Sequence, residues 1–293
     1  ALLLVFPVFL TLDLEKKTLK YAVQIFLITS VISALFAIVV NINLIPESIH
    51  LGIIGENDNS RHPAFITYNY HNVILSFATT IAFFILFEKK TKYPYIIMSF
   101  IIVFGISIFT EKGRAGQVIF NLSSIFYILY YGRKSIFKLI IFMFILFSFQ
   151  YMIYNYSSVF KDRLDIATSV ITGEKPEGNI NDRLVFISES LQRIFKRPLL
   201  GYGTGSFGQI FINEVKSDRQ YFIHTTPHNQ YLYVWFEIGI LGLISLIAIF
   251  FYQIKELYNK KYGIHRILLP ISFMFLMLVD SYFFIFILTI MYI

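Results

Sequence analysis

The tightest constraint on this chain is the length of its uncharged apolar runs. Stretches of roughly 15 to 22 residues recur along it, and a helix of that length, rising 1.5 Å per residue, crosses about 30 Å of hydrocarbon. Lipid offers the backbone no water to bond with, so only helices and closed barrels can lie in it. No strand-like alternation recurs at the spacing a barrel needs. The predicted fold class is therefore all-α, a polytopic transmembrane helical bundle. Composition agrees: of 293 residues, 56% are hydrophobic and 15% charged, against about 45–50% and about 25% in soluble domains.

The predicted spans are Ala1–Leu12 (partial), Tyr21–Val40, Tyr70–Phe87, Pro94–Thr110, Gln117–Tyr131, Ile136–Tyr154, Tyr231–Tyr252, Ile267–Val279 and Ser281–Ile293. The last two meet at Asp280 and read as two broken half-helices, with one long tilted helix as the alternative. The chain opens on Ala1 inside an apolar run, with no Met and no basic flank. That does not fit a signal peptide, and some N-terminal sequence is expected to precede it.

Loop charges set the orientation. One alternating set of short loops holds Lys16, Lys17, Lys20, Lys89, Lys90, Lys92, Arg133, Lys134, Lys138, Lys255, Lys260, Lys261 and Arg266, whereas the other holds Arg61, Lys112 and Arg114. Excess Lys and Arg mark the cytoplasmic side, so the first set faces the cytoplasm. The net charge of +7 follows from this bias and needs no nucleic-acid partner. The Asn41–Asn69 loop, the EKGRAG turn (111–116) and the long hydrophilic stretch Asn155–Asn229 then share the outer face. Three regions follow: transmembrane helices over 1–154 with the arginine turn, an outer loop over 155–230 that is expected to carry any chemistry, and transmembrane helices over 231–293.

Within the long loop, Leu184, Ile187, Leu191, Ile194 and Phe195 recur at helical spacing, with Arg183, Glu189, Gln192, Arg193 and Lys196 on other faces. This predicts an amphipathic helix at the membrane surface. Asn181 or Asp182 would cap it, which puts Arg183 in its first turn, and Pro198 would stop it. Lys161–Ile171 reads as a second short helix and Gly173–Asn179 as a connector. Tyr and Trp near span ends read as an interfacial belt, and the 33 Phe residues as packing and lipid-facing groups.

Few residues here suit chemistry. Lys112 and Arg114 are cations against the charge bias, at a membrane mouth, flanked by Gly113 and Gly116, which allow close backbone approach. Arg114 has two readings, a snorkelling contact with lipid headgroups or a ligand for a bound anion. Arg183 is either a surface residue of its helix or, with Arg114, half of a clamp whose guanidinium forks match phosphate oxygens. The remaining loop cations, Arg193, Lys196, Arg197, Lys216 and Arg219, are expected at lipid headgroups or solvent. His224 and His228 have the spacing of a helical metal pair, but Pro227 lies between them and the ligands a metal needs are missing. No metal and no cofactor is expected. His228 reads as a general base at the membrane surface or as a structural, hydrogen-bonded histidine. There is no cysteine, so thiol and disulfide chemistry are excluded. GYGTGSFG lacks the Lys-Ser/Thr and the strand of a phosphate loop; it reads as a glycine-rich turn, with amides that can face a substrate.

Three stretches, in order, resemble one family. GRAGQ, RLVFISESLQRIFKRPLLGYGTGSF and PHNQYLYVWFEIGILGLI, together spanning about Thr110 to Phe250, are similar to the arginine turn, loop helix with glycine turn, and His-Asn motif of the O-antigen ligase and polymerase superfamily of polytopic glycosyltransferases. The turn reads EKGRAG where many members have a Ser before the arginine, and Lys112 is an added charge, which leaves its role open. The resemblance implies that Arg114 and Arg183 bind the diphosphate of an undecaprenyl-diphosphate-linked glycan and that His228 activates the acceptor hydroxyl. It implies lipid A core, or another lipid-linked glycan, as acceptor, and a bacterial inner membrane with the site on its periplasmic face. Cations fixed where charge develops suit a diphosphate leaving group without a metal, and attack opposite the diphosphate inverts the anomeric carbon. Ligase is the leading expectation and polymerase the alternative within the superfamily. A transporter or flippase would need charges along its spans, whereas here Asp280 and Glu237 lie near span ends.

Overall fold

The computed structural model describes residues 15–45, 64–88, 91–171, 179–214, 226–258 and 264–282. The predicted span Ala1–Leu12, most of the Asn41–Asn69 loop, the connector after Gly173, His224, Lys216, Arg219 and most of the final span lie outside the described residues. Every regular element among the described residues is a helix. Among the described residues, four helices are long and apolar enough to cross a membrane, Lys17–Asn41, Tyr68–Phe87, Ile136–Tyr156 and Ile240–Tyr258, and Pro94–Thr110 and His265–Val279 are shorter and apolar. This is a membrane protein of the expected all-α class. The chain divides into two compact units, Ala1–Thr168 and Ser169–Ile293.

The first unit is built from α1 (Lys16–Asn41), α2 (Tyr68–Glu88), α3 (Pro94–Thr110), α4 (Arg114–Gly132), α5 (Ile136–Tyr156) and the start of α6 (Ser158–Ile171). The helix α2 packs against both α3 and α4, and α5 packs against α4. Small side chains let the helices approach: Ala34, Ala37, Ala78 and Ala82 are fully buried, as expected where helices must pack without a hydrophobic drive from water. Gly105 of α3 lies against the Phe149 ring of α5, where an added Cβ would come within 2.9 Å. Aromatic edges fill the centre, with Phe109 meeting Phe120 at 5.3 Å and Phe160 at 5.0 Å. The long helix α5 instead turns most of its side chains outward; Phe137, Phe144 and Tyr151 are each 70% exposed, a surface suited to lipid. The end of α1 meets the end of α3 through Asn41 Nδ2 and Thr110 Oγ1 at 3.4 Å. Glu111, Arg114 and the start of α2 thus share one end of this unit, and Lys92, Arg133, Lys134 and Lys138 lie at the other.

The second unit holds α7 (Asn179–Ile194), α8 (Ser206–Glu214), α9 (Gln230–Ile238), α10 (Ile240–Tyr258), a 3-10 turn (Ile264–Ile267) and α11 (Leu268–Val279). Its core is aromatic: Phe186, Phe207, Phe211 and Phe236 are buried together with Ile194. The predicted span Tyr231–Tyr252 is broken in two at Gly239, whose φ is +80°. A Cβ there would fall 2.5 Å from the carbonyl carbon of Leu199. The break exists because the glycine-rich turn closes on it. Tyr202 and Gly203 donate their amides to the carbonyls of Phe236 and Glu237 at 2.9 Å each, and Ile240 donates to Pro198 O at 2.9 Å. These bonds satisfy carbonyls that a helix end leaves open. Two amides of the glycine turn, those of Tyr202 and Gly203, therefore hold the helix break.

Further expectations change. The described part of α7 begins at Asn179, so Asn181 and Asp182 lie inside it and Arg183 falls just past the first turn. Its packed face is Phe186, Ser190, Arg193 and Ile194, whereas Phe195 is 68% exposed. Arg193, expected at headgroups or solvent, is buried because Nη1 reaches Glu189 Oε2 at 2.6 Å, an i,i+4 pair, and Tyr202 donates its hydroxyl to Arg193 O at 3.1 Å. The helix α8 was not predicted; its start is supported by the buried Glu237 carboxylate, which accepts the Phe207 N–H at 3.3 Å. Tyr231 and Trp235, assigned to an interfacial belt, hold the unit together as well, donating to Met274 O at 3.0 Å and Pro198 O at 3.1 Å.

Candidate functional site

Lys112 and Arg114 belong to the first unit. Gly113 caps the start of α4 and Arg114 is its first residue, so Arg114 opens the helix at the positive end of its dipole. Both cations are half-buried, while Glu111, Gly113, Ala115 and Gly116 around them are buried. The two glycines pack on Asn72 of α2. A Cβ on Gly113 would meet Asn72 Cγ at 2.9 Å, and one on Gly116 would meet the Asn72 carbonyl carbon at 2.6 Å. The close approach that they allow is helix on helix, in place of the expected approach to a bound group.

Arg183 and His228 belong to the second unit. Arg183 lies on α7, one turn before Phe186, and the Phe186 ring meets the His228 ring edge-on with centroids 5.8 Å apart. The helix that bears Arg183 therefore reaches the histidine. His228 has φ +50°, in the left-handed region that few residues other than glycine adopt. The next residue, Asn229, caps α9: its side chain accepts the Leu232 N–H at 3.0 Å and donates to Leu278 O at 3.2 Å. The cap fixes the chain direction immediately after His228 and ties it to the end of α11.

That end supplies the residue which sequence reasoning did not pair with the histidine. Asp280, directly after α11, places Oδ1 3.1 Å from His228 Nδ1, with both side chains about a quarter exposed at 27% and 22%. The same oxygen accepts the Ser281 N–H at 2.8 Å, so the carboxylate is itself held. A neutral imidazole that donates from Nδ1 carries its lone pair on Nε2. Asp280 thus selects the tautomer able to take a proton and can balance the imidazolium that results, as an acidic partner does for a histidine base. One signal pointed to it: an aspartate inside LMLVDSYFF is an ionisable residue within an apolar segment, and such residues are functional candidates by default. The separation of 52 residues hid the partner. Among the described residues, no three or more His, Cys, Asp or Glu side chains gather as a metal site requires.

No curated protein sequence matches this chain. The family profile described as O-antigen ligase matches residues 100–247, half of the chain's 293 residues. The match covers the turn with Lys112 and Arg114, the helix with Arg183, the glycine turn and His228. With helices able to cross a bilayer and an ordered match across these segments, the chain belongs to the O-antigen ligase family, membrane glycosyltransferases that act on lipid-linked glycans.

Proposed function

We propose that this protein is an O-antigen ligase, an inverting, metal-independent transferase that moves a glycan from undecaprenyl diphosphate to the lipid A core. It works at the periplasmic face of a bacterial inner membrane, with the 155–230 segment as its catalytic region. Arg114 and Arg183, with Lys112, bind the donor diphosphate; His228 removes the proton from the acceptor hydroxyl. The observation that carries the reading is the His228–Asp280 contact of 3.1 Å, in a chain whose family acts on lipid-linked glycans.

The chemistry follows from those groups. The acceptor oxygen attacks the anomeric carbon as the bond to the diphosphate oxygen breaks, and the electron pair leaves with the diphosphate. The acceptor proton passes to His228 Nε2, and Asp280 stabilises the resulting imidazolium. Negative charge grows on the leaving diphosphate, and fixed guanidinium groups are worth most where charge develops. Attack from the side opposite the leaving group inverts the anomeric centre.

The test is reconstitution of the full chain with an undecaprenyl-diphosphate glycan, alone or with lipid A core. Glycosylated core supports the ligase. Longer lipid-linked chains without modified core would assign the protein to repeat-unit polymerisation instead, and no transfer in either mixture would remove both readings.

A further inference from the structure

The first unit contains a chain of buried polar side chains that the proposed transfer does not use. His71 of α2 directs Nδ1 at both carboxylate oxygens of Glu111, at 3.0 and 3.1 Å, and Ser107 Oγ donates to Oε1 at 2.9 Å. On the other side of the ring, His71 Nε2 meets Ser33 Oγ of α1 at 2.9 Å. The side chains of His71 and Glu111 are each 2% exposed. Burying an ionisable pair is expensive, and apolar packing of the same volume usually serves stability as well or better. Fold stability alone therefore gives no reason for it.

Its position gives one. Glu111 is the first residue of the EKGRAG turn, and the rest of the turn's main chain is fixed from the same side. Gln117 Nε2 donates to Glu111 O at 3.2 Å, and Asn72 Nδ2 donates to Gly113 O at 3.2 Å. Gly116 is seated on the Asn72 main chain. Within the turn only Lys112 and Arg114 escape full burial. Three helices thus hold a turn whose two unburied residues are both cations.

We propose that His71 and Glu111 are positioning residues, a buried brace running from Ser33 to Glu111 that presents Arg114 and Lys112 to the donor diphosphate. This rests on the reading of Arg114 as a diphosphate ligand. A cation held in place before the reaction needs no reorganisation as charge develops, so the brace acts more on the transition state than on the bound donor.

The experiment measures the Kd of undecaprenyl diphosphate for the purified full chain in nanodiscs, together with kcat and KM for the lipid-linked glycan donor. Glu111→Gln keeps the volume and removes the charge. It is expected to weaken undecaprenyl diphosphate about tenfold and to lower kcat by a larger factor than it raises KM, because an interaction realised mainly in the transition state appears in kcat. On an Arg114→Ala background the same change should add less than about twofold, since residues acting as one unit are not additive. Multiplicative losses in the double variant, or an unchanged Kd in Glu111→Gln, would overturn the brace. If Arg114→Ala alone leaves the Kd unchanged, the diphosphate reading of Arg114 falls first and the brace falls with it. Ser33→Ala, at the far and only part-buried end, keeps the test open if changes at Glu111 unfold the protein. It should show the same coupling to Arg114 with a smaller loss, about threefold, and no coupling would again overturn the proposal.

Discussion

His228 is held by three independent constraints: a left-handed backbone at φ +50°, the Asp280 contact on Nδ1, and the Asn229 cap that follows it. A non-glycine residue in that region costs on the order of 1–3 kcal/mol and persists only where its surroundings impose it, as they do here. Asp280→Asn should therefore leave the fold intact and lower the transfer rate about a hundredfold or more, in the range expected when a general base loses its correct form. A rate within threefold of wild type, measured by single-turnover transfer, would leave Asp280 without a part in the reaction. His228→Ala should abolish transfer while the protein still accumulates in the membrane. At this scale the sequence was partly legible. Residue type and motif mark Arg114, Arg183 and His228 as the proposed site, because guanidinium suits diphosphate binding and imidazole suits proton removal. Asp280 was not paired with His228, since no local spacing encodes a contact across 52 residues. Arg193 was misread for a different reason: its partner Glu189 lies one turn away on the same helix, but its charge suggested solvent and only packing shows it buried.

At the scale of elements, the break between α9 and α10 is the feature that most shapes the second unit. Two glycines meet there back to back. Gly239, at φ +80°, lies on the Leu199 main chain, and Gly201, at φ +65°, lies on the carbonyls of Phe236 and Glu237, where a Cβ would come within 2.6 Å. Gly239→Ala should lower stability by about 1–3 kcal/mol, since it adds a backbone clash to a strained φ. Gly203→Ala, with φ +99° and nothing within 4 Å of an added Cβ, should cost less. Thermal unfolding of the two variants side by side checks this, and equal losses would show that the clash is unimportant. The predicted single span ran through Gly239 because its apolar residues are continuous on both sides. Hydropathy reports where a helix can lie in lipid and says little about where it breaks. The helix α8 escaped prediction by a related route: its start depends on the Glu237 carboxylate and its packing on Phe207 and Phe211, none of which is visible in a glycine-rich stretch.

For the whole molecule, orientation is the property with the most direct test. The chain has no cysteine, so single cysteines report topology without background. Lys134→Cys should react with a membrane-impermeant maleimide only after the cytoplasmic side is opened, whereas Lys161→Cys should react in intact cells with a permeable outer membrane. The opposite pattern would invert the assignment and place the arginine turn in the cytoplasm. Chelation should leave transfer unchanged, because the proposed mechanism relies on arginines and a histidine; a large loss reversed by a divalent ion would refute it. The helical class and the place of most apolar helices were determined by the sequence itself, because they follow from apolar run length, a local property of the chain; the charge bias from which an orientation is proposed is local in the same way. Tertiary structure alone decided the contacts that join distant residues: Asp280 on His228, His71 on Glu111, and the glycine turn on the end of α9. Such contacts depend on which helix faces meet, and a sequence pattern can mark a buried face without naming its neighbour.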